Sequence, residues 1–306
     1  MGFTSFAILF AACKSHLSPE DHAVNKIIRQ AIEAGQKDDF KTSDKLCHEA
    51  LALIKSYGEK NLWPEKKVIL ATVFVFDFMG KQSMANGDLK RAEVLFKECI
   101  KGLIEAGREQ NDDAVIELSL KLALIYASQR KFKDADIGYN FCIDTQRKKL
   151  QEDGALAKGT HEEQVNSHAL LGMCLHAYGK FLIAQKQFDK ALESMDECVQ
   201  IADKWLSKEH PQLPVLYCDL ANAYTLNDKF DDAMTSIERA EVLAKQDSPT
   251  MVWILCNKGP IEARTQKKRR AKSTCASAAG IANKLNNQKL VRASEECFKR
   301  IEAPHK

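Results

Sequence analysis

Apolar residues recur at steps of three and four along most of this chain, and the stretch 170–199, LLGMCLHAYGKFLIAQKQFDKALESMDECV, shows the pattern best. At a helical period it predicts two amphipathic helices with a break at 185–187. On the first, Leu175, Tyr178, Gly179 and Leu182 share a face. On the second, Phe188, Ala191, Met195 and Cys198 do. A glycine facing an alanine lets two backbones approach closely. One such hairpin cannot bury its own greasy face, so it requires neighbours of the same design.

The chain contains those neighbours. Leu122, Ala123 and Tyr126 precede Phe132, Ala135, Tyr139 and Cys142. Tyr217, Leu220, Ala221 and Tyr224 precede Phe230, Ala233, Ile237 and Ala240, while Phe76, Met79 and Gly80 precede Leu89, Ala92, Phe96 and Cys99. This is the spacing of the tetratricopeptide repeat. Weaker copies flank the four, with Phe40, Ser43, Cys47 and Ala50 before and Ala271, Cys275 and Ala278 after. The small residues stand at 43, 92, 135, 191, 233 and 271, at gaps of 49, 43, 56, 42 and 38. The expected fold is all-α, a tetratricopeptide-repeat solenoid of about six helical hairpins; an irregular helical bundle is the alternative.

In chain order, 1–17 is an apolar N-terminal segment, an anchor or the remnant of a targeting sequence, and 18–303 is the repeat domain. The apolar run MGFTSFAILFAAC falls short of the ~20 residues a membrane helix needs. A buried first helix is its third reading. Ser18 before Pro19, Glu20 and Asp21 predicts a helix start. Helices at 19–34 and 41–57 form the first hairpin, a loop at 58–64 holds Trp63, and helices at 66–85 and 88–107 form the second. The helix DDAVIELSLKLALIYASQ is apolar on two sides and so is expected between neighbours. A polar insertion, QEDGALAKGT, accounts for the gap of 56. His210, in Glu209-His210-Pro211, reads as a turn residue. Gly259-Pro260 is expected to interrupt the first helix of the last hairpin, since proline removes a backbone donor and clashes with the preceding turn.

Net charge is +3 over 306 residues, but it is unevenly spread. From position 258 onward there are thirteen Lys or Arg against four Asp or Glu. Lys267, Lys268, Arg269, Arg270 and Lys272 form a candidate basic patch for an acidic protein or a membrane surface. The plainer reading is a solvated outer face on a terminal capping helix. Ten cysteines suggest zinc or disulfides, yet none forms a Cys-x-x-Cys pair. Cys47, Cys99, Cys142, Cys198 and Cys275 fall on apolar repeat positions, where free thiols behave as small hydrophobes. All ten are therefore expected reduced, in a reducing compartment.

No catalytic motif is present: no Gly-rich phosphate loop follows a strand, and neither Gly-x-Ser-x-Gly nor His-Glu-x-x-His occurs. No enzymatic activity, cofactor or metal is expected, nor any nucleic-acid contact. In this repeat the first helix of each hairpin lines the groove. The candidate groove residues are Asp77 and Lys81, Leu120 and Leu124, His176 and Lys180, and Cys218 and Asn222. The lysine–asparagine set that holds a C-terminal carboxylate in chaperone-tail binders is absent, which leaves a mixed groove suited to a longer apolar or amphipathic peptide.

The segments DDAVIELSLKLALIYASQ, GYNFCIDT, LLGMCLHAYGKFL and HPQ…LYCDLANAY together resemble the mitochondrial tetratricopeptide repeat protein 19 family. The similarity covers about 85–245 best. The resemblance implies a helical-repeat protein of the mitochondrial inner membrane, without enzymatic activity or cofactor. Its partner would be respiratory complex III, including the Rieske protein, with the inner-membrane surface as a further contact. Its role would be to help clear fragments left after Rieske processing; a part in cytokinesis has also been proposed for the family. The resemblance further implies a presequence and membrane segment ahead of the repeats. The other reading is a cytoplasmic, kinesin-light-chain-like peptide-binding adaptor.

Overall fold

The structure, a computed structural model, describes residues 18–151, 160–265 and 267–302. The apolar segment 1–17 and most of the insertion lie outside them. Every described element is an α-helix: α1 (Pro19–Gln36), α2 (Phe40–Glu59), α3 (Glu65–Ala85), α4 (Leu89–Glu105), α5 (Asp113–Ser128), α6 (Phe132–Gln151), α7 (His161–Ala184), α8 (Phe188–Trp205), α9 (Leu213–Leu226), α10 (Phe230–Leu243), α11 (Pro249–Arg264), α12 (Lys268–Lys284) and α13 (Gln288–Glu302). The first twelve pair as six hairpins. The thirteenth helix was not anticipated, although Leu290, Ser294, Cys297 and Ile301, its buried residues, follow at steps of four, three and four.

Two compact units divide the chain, one ending at Gln151 and the other beginning at Glu152. In the first, α1–α2, α3–α4 and α5–α6 pack as hairpins, and α2 against α3 and α4 against α5 join them. In the second, α7–α8, α9–α10 and α11–α12 do the same, and α13 closes the stack by packing on both α11 and α12.

The small repeat residues explain the pairing. Ser43, Ala92, Ala135, Ala191, Ala233 and Ala271 are all fully buried at the helix crossings. A Cβ on Gly179 would lie 2.8 Å from Met195 Cγ and 3.4 Å from the Ala191 carbonyl, and one on Gly80 would lie 2.6 Å from the Phe96 ring. Ser43 replaces the usual alanine; its hydroxyl donates to the Ala31 carbonyl at 2.6 Å and accepts from Gln82 Nε2 at 2.6 Å. α3 is long and apolar enough to cross a membrane by length and composition. Here it is a core helix, packed between α2 and α4, with Ala71, Val73, Val75 and Met79 buried.

One turn design serves all the hairpins. The backbone N–H that opens each second helix donates to a carbonyl five residues back: Asp39 to Ala34, Asp88 to Ser83, Lys131 to Tyr126, Gln187 to Leu182, Lys229 to Tyr224 and Lys267 to Glu262. Asn287 to Ala282 repeats it before α13. Before Asp39, Asp88, Lys131, Gln187, Lys229 and Asn287, the preceding residue takes the left-handed conformation typical of a helix C-terminus. It is a glycine at Gly87, but Asp38, Arg130, Lys186, Asp228 and Asn286 elsewhere. His210 also acts in a turn, where its Nδ1 accepts from the Gln212 N–H at 3.3 Å.

Two expectations are corrected. α11 is not interrupted by Gly259-Pro260 and runs on to Arg264. Pro260 takes the helical φ that its ring favours and only leaves the Cys256 carbonyl without its usual donor. Gly259 instead makes room: a Cβ there would lie 2.7 Å from Cys275 Sγ and 2.9 Å from Cys297 Sγ. Those two sulfurs are bonded as a disulfide, with Cα atoms 5.8 Å apart. Cys275 is therefore not a free thiol, and the bridge withdraws the argument for a reducing compartment. Cys297 was overlooked because α13 was.

Candidate functional site

The candidate groove residues fall into two groups, one in each unit. In the first, Asp77 on α3 is buried and its carboxylate is doubly paired, Oδ2 with Lys81 Nζ at 2.5 Å and Oδ1 with Lys121 Nζ at 2.7 Å. Lys121, a residue sequence reasoning passed over, is itself buried and also meets Glu117 Oε1 at 2.8 Å. The signal for it was a lysine four residues after a glutamate in an otherwise apolar helix. Burial works against its charge, but Asp77 and Glu117 outweigh that and hold its pKa above the ordinary lysine value. Leu120 is buried in the core and Leu124 half-buried. This group is a satisfied charge network within the wall, with Lys81 at its solvent edge.

In the second unit, His176 Nε2 on α7 lies 2.8 Å from Asp219 Oδ2 on α9. Lys180 Nζ stands 3.8 Å from the same oxygen, with more than half of its side chain exposed. Cys218 is buried, and its sulfur accepts from Asn257 Nδ2 at 3.1 Å. Burial pushes the Cys218 thiol up to about 12, so it stays protonated and unreactive. Asn222 is half-buried beside Asp219 on the solvent side of α9. Asn257 of α11 and Arg300 of α13, whose Nη1 lies 3.5 Å from Asn257 Oδ1, extend this polar line beyond the anticipated residues.

The basic patch opens α12. Lys267 is its N-cap, and Lys268, Arg269, Arg270 and Lys272 follow, all exposed. Arg270 Nε pairs at 2.8 Å with the fully buried Glu262, whose other oxygen accepts from Thr274 Oγ1 at 2.7 Å. Lys272 Nζ lies 3.8 Å from Glu302. Cations in a first turn oppose the helix dipole, so helix stability does not explain this cluster. Among the described residues, no group of three His, Cys, Asp or Glu is placed to hold a metal ion.

Hairpins crossing on small residues, repeated turns and first helices that face solvent define a tetratricopeptide-repeat protein. The family described as "Tetratricopeptide repeat" matches residues 172–246. The chain is 33% identical over 265 residues to human "Tetratricopeptide repeat protein 19, mitochondrial", covering 86% of this chain and 67% of that protein. It belongs to the mitochondrial tetratricopeptide repeat protein 19 family, and spans about two thirds of the length of that human relative. Two solved structures share the fold. BtubC (BKLC) from P. vanneervenii superposes with a TM-score of 0.61 at 14% identity, over 89% of this chain and 94% of that one. A putative kinesin light chain from Podosopora anserina superposes with a TM-score of 0.56 at 16% identity, over 71% and 97%.

Proposed function

We propose that this chain is a non-catalytic accessory factor of respiratory complex III at the mitochondrial inner membrane. It supports the integrity of the complex by helping to clear fragments of the Rieske iron–sulfur protein. Membership of a family whose members are named mitochondrial carries the reading. The architecture agrees with it: hairpins present first-helix faces to solvent while the cores are spent on packing. The described thiols whose pKa is displaced are all raised by burial, Cys47 and Cys198 to about 12 and Cys256 to about 11, which suits structural cysteines better than nucleophiles. The basic patch is the contact proposed for the anionic inner-membrane surface.

Deleting the protein is expected to lower quinol–cytochrome c reductase activity and to leave Rieske fragments on the complex. A tagged copy is expected to co-migrate with complex III on native gels. Normal activity with no retained fragments, and a tag found in the cytosol on a motor complex, would replace this reading with that of a peptide-binding adaptor.

A further inference from the structure

In the second unit, α13 stands to α12 as α9 stands to α8 and α11 to α10, a helix packed on the second helix of the hairpin before it. The same turn introduces it, with the Asn287 N–H donating to the Ala282 carbonyl and Asn286 in the left-handed conformation. Just as α11 packs on α9, the preceding first helix, α13 packs on α11. It therefore fills the place that the first helix of a further hairpin would take.

What holds α13 there is light except at one point. Of its fifteen residues only Leu290, Ser294, Cys297 and Ile301 are buried. The core it shares with α12 is built from small side chains, Ala271, Cys275, Ala278 and Ala282, which offer little apolar area. Its polar ties to other helices are long: Arg300 Nη1 to Asn257 Oδ1 at 3.5 Å, and Glu302 to Lys272 Nζ at 3.8 Å with both side chains exposed. The strong tie is the covalent one, Cys297 to Cys275, lying against Gly259 of α11. Cys47, Cys99, Cys142, Cys198, Cys218 and Cys256 are buried and unbridged, so a reductant has this bond to act on. Cys275 and Cys297 are buried too, and a reductant reaches them only as α13 lifts.

We infer that the Cys275–Cys297 bond is a redox latch: intact, it keeps α13 as a cap on the second unit, and its reduction by a dithiol frees α13 and uncovers the α11–α12 edge for an amphipathic helix of a partner protein. In that reduction a thiolate of the dithiol attacks Cys297 Sγ as α13 lifts, and Cys275 leaves as a thiolate and takes up a proton. The second thiolate of the dithiol then breaks the mixed disulfide and releases Cys297. The dithiol ends as a disulfide and the protein gains two thiols, two electrons having passed from one to the other. The chemistry of the occupant is set by the helix seated there now. It is a helix with apolar or small residues at steps of four, three and four, as Leu290, Ser294, Cys297 and Ile301 are spaced. The edge is made by the sides of α11 and α12 that α13 covers, apart from the solvent faces of the first helices.

The test uses the purified full chain before and after treatment with dithiothreitol. Hydrogen exchange over residues 288–302 should quicken about a hundredfold on reduction, the change expected when a loop of this length is no longer closed. Exchange over residues 213–226 should stay as it was. A fluorescein-labelled copy of residues 288–302 carrying Cys297→Ser should bind the reduced chain, read by anisotropy, and not the oxidised one. A copy that also carries Leu290→Asp and Ile301→Asp should bind neither. The chain's own α13 still competes after reduction, so the peptide is also titrated against the chain with Cys297→Ser and Ile301→Asp. That variant should bind it without reductant, and more tightly than the reduced chain does. Equal protection of residues 288–302 in both redox states would overturn the latch, as would equal peptide binding in both. No peptide binding to the reduced chain or to the double variant would overturn the docking edge. Dimers that form only on reduction, with no peptide binding, would give the edge to a second copy and overturn the partner helix. Neither readout involves complex III, so this inference and the proposed function fail separately.

Discussion

Lys121 on α5 reaches Asp77 on α3, Nζ to Oδ1 at 2.7 Å, with both side chains almost wholly buried. Such a pair adds little compared with two well-packed apolar residues, but breaking it strands a buried charge. Lys121→Ala should therefore lower unfolding free energy by about 3–5 kcal/mol. Lys121→Met together with Asp77→Leu and Glu117→Leu, which leaves no buried carboxylate behind, should lower it far less. Urea unfolding of the three proteins decides. The pH sign follows from the raised Lys121 pKa. The contribution is complete below the ordinary lysine value and is lost as pH climbs through the raised one. Buried Tyr139, also raised, loses stability in the same alkaline direction. Alkaline unfolding that is unchanged by removing the Lys121 pair would remove this account.

Ala191 sits at the tightest crossing of α7 and α8, with its carbonyl 3.4 Å from where a Cβ on Gly179 would stand. Ala191→Leu should overpack that crossing and lower stability by about 1–3 kcal/mol. An unchanged melting temperature would mean the hairpin tolerates bulk at its centre.

The turns offer a stabilising change. Lys186 holds φ at 60°, where side chains are disfavoured and glycine is not. Lys186→Gly should relieve a conformational penalty of roughly 1 kcal/mol, partly offset by the greater freedom of glycine in the unfolded chain. A rise in melting temperature of a few degrees is expected. Gly87→Ala, the reverse change at the equivalent turn, should lower it.

These sites show what the sequence carried and what it did not. The hairpins were legible because small residues at 43, 92, 135, 191, 233 and 271 recur with flanking aromatics, and each repeat buries them alike. The candidate groove was only half legible. A repeat register names the first helix but not how far each side chain is sunk, so Asp77, Leu120 and Cys218 are buried where solvent contact was expected. Lys121, Asn257 and Arg300 were missed because their significance lies in partners 39 to 44 residues away. Pro260 misled because local propensity says break, while α10, α12 and α13 hold α11 on several sides.

The disulfide ties α12 to α13 across a separation of 22 residues. Closing a loop of that length in the unfolded chain is worth about 3 kcal/mol. Cys297→Ser should lose about that much, mainly as loosening of α13, read by hydrogen exchange over residues 288–302. Titration of denatured protein should find two more thiols after reduction than before. Gly259→Ala should also destabilise, by driving a methyl against both sulfurs. Equal thiol counts would return Cys275 and Cys297 to the pool of packed free cysteines.

Lys268 and Arg269 stand in the first turn of α12, where the helix presents unpaired N–H groups and the positive end of its dipole. Carboxylates there would favour the helix, so replacing both residues by Glu should raise stability by roughly 0.5–2 kcal/mol in all, more at low salt. If the cluster serves an anionic surface, the same change should cost it that contact. Each lost charge near an acidic membrane is worth about 1 kcal/mol, and reversal doubles the change in charge. The double variant should thus melt later yet sediment less with vesicles containing cardiolipin, with the gap closing as salt rises. The opposite movement of two readouts separates function from structure. A variant that is more stable and binds the vesicles unchanged would show that α12 begins with cations for a reason other than a membrane.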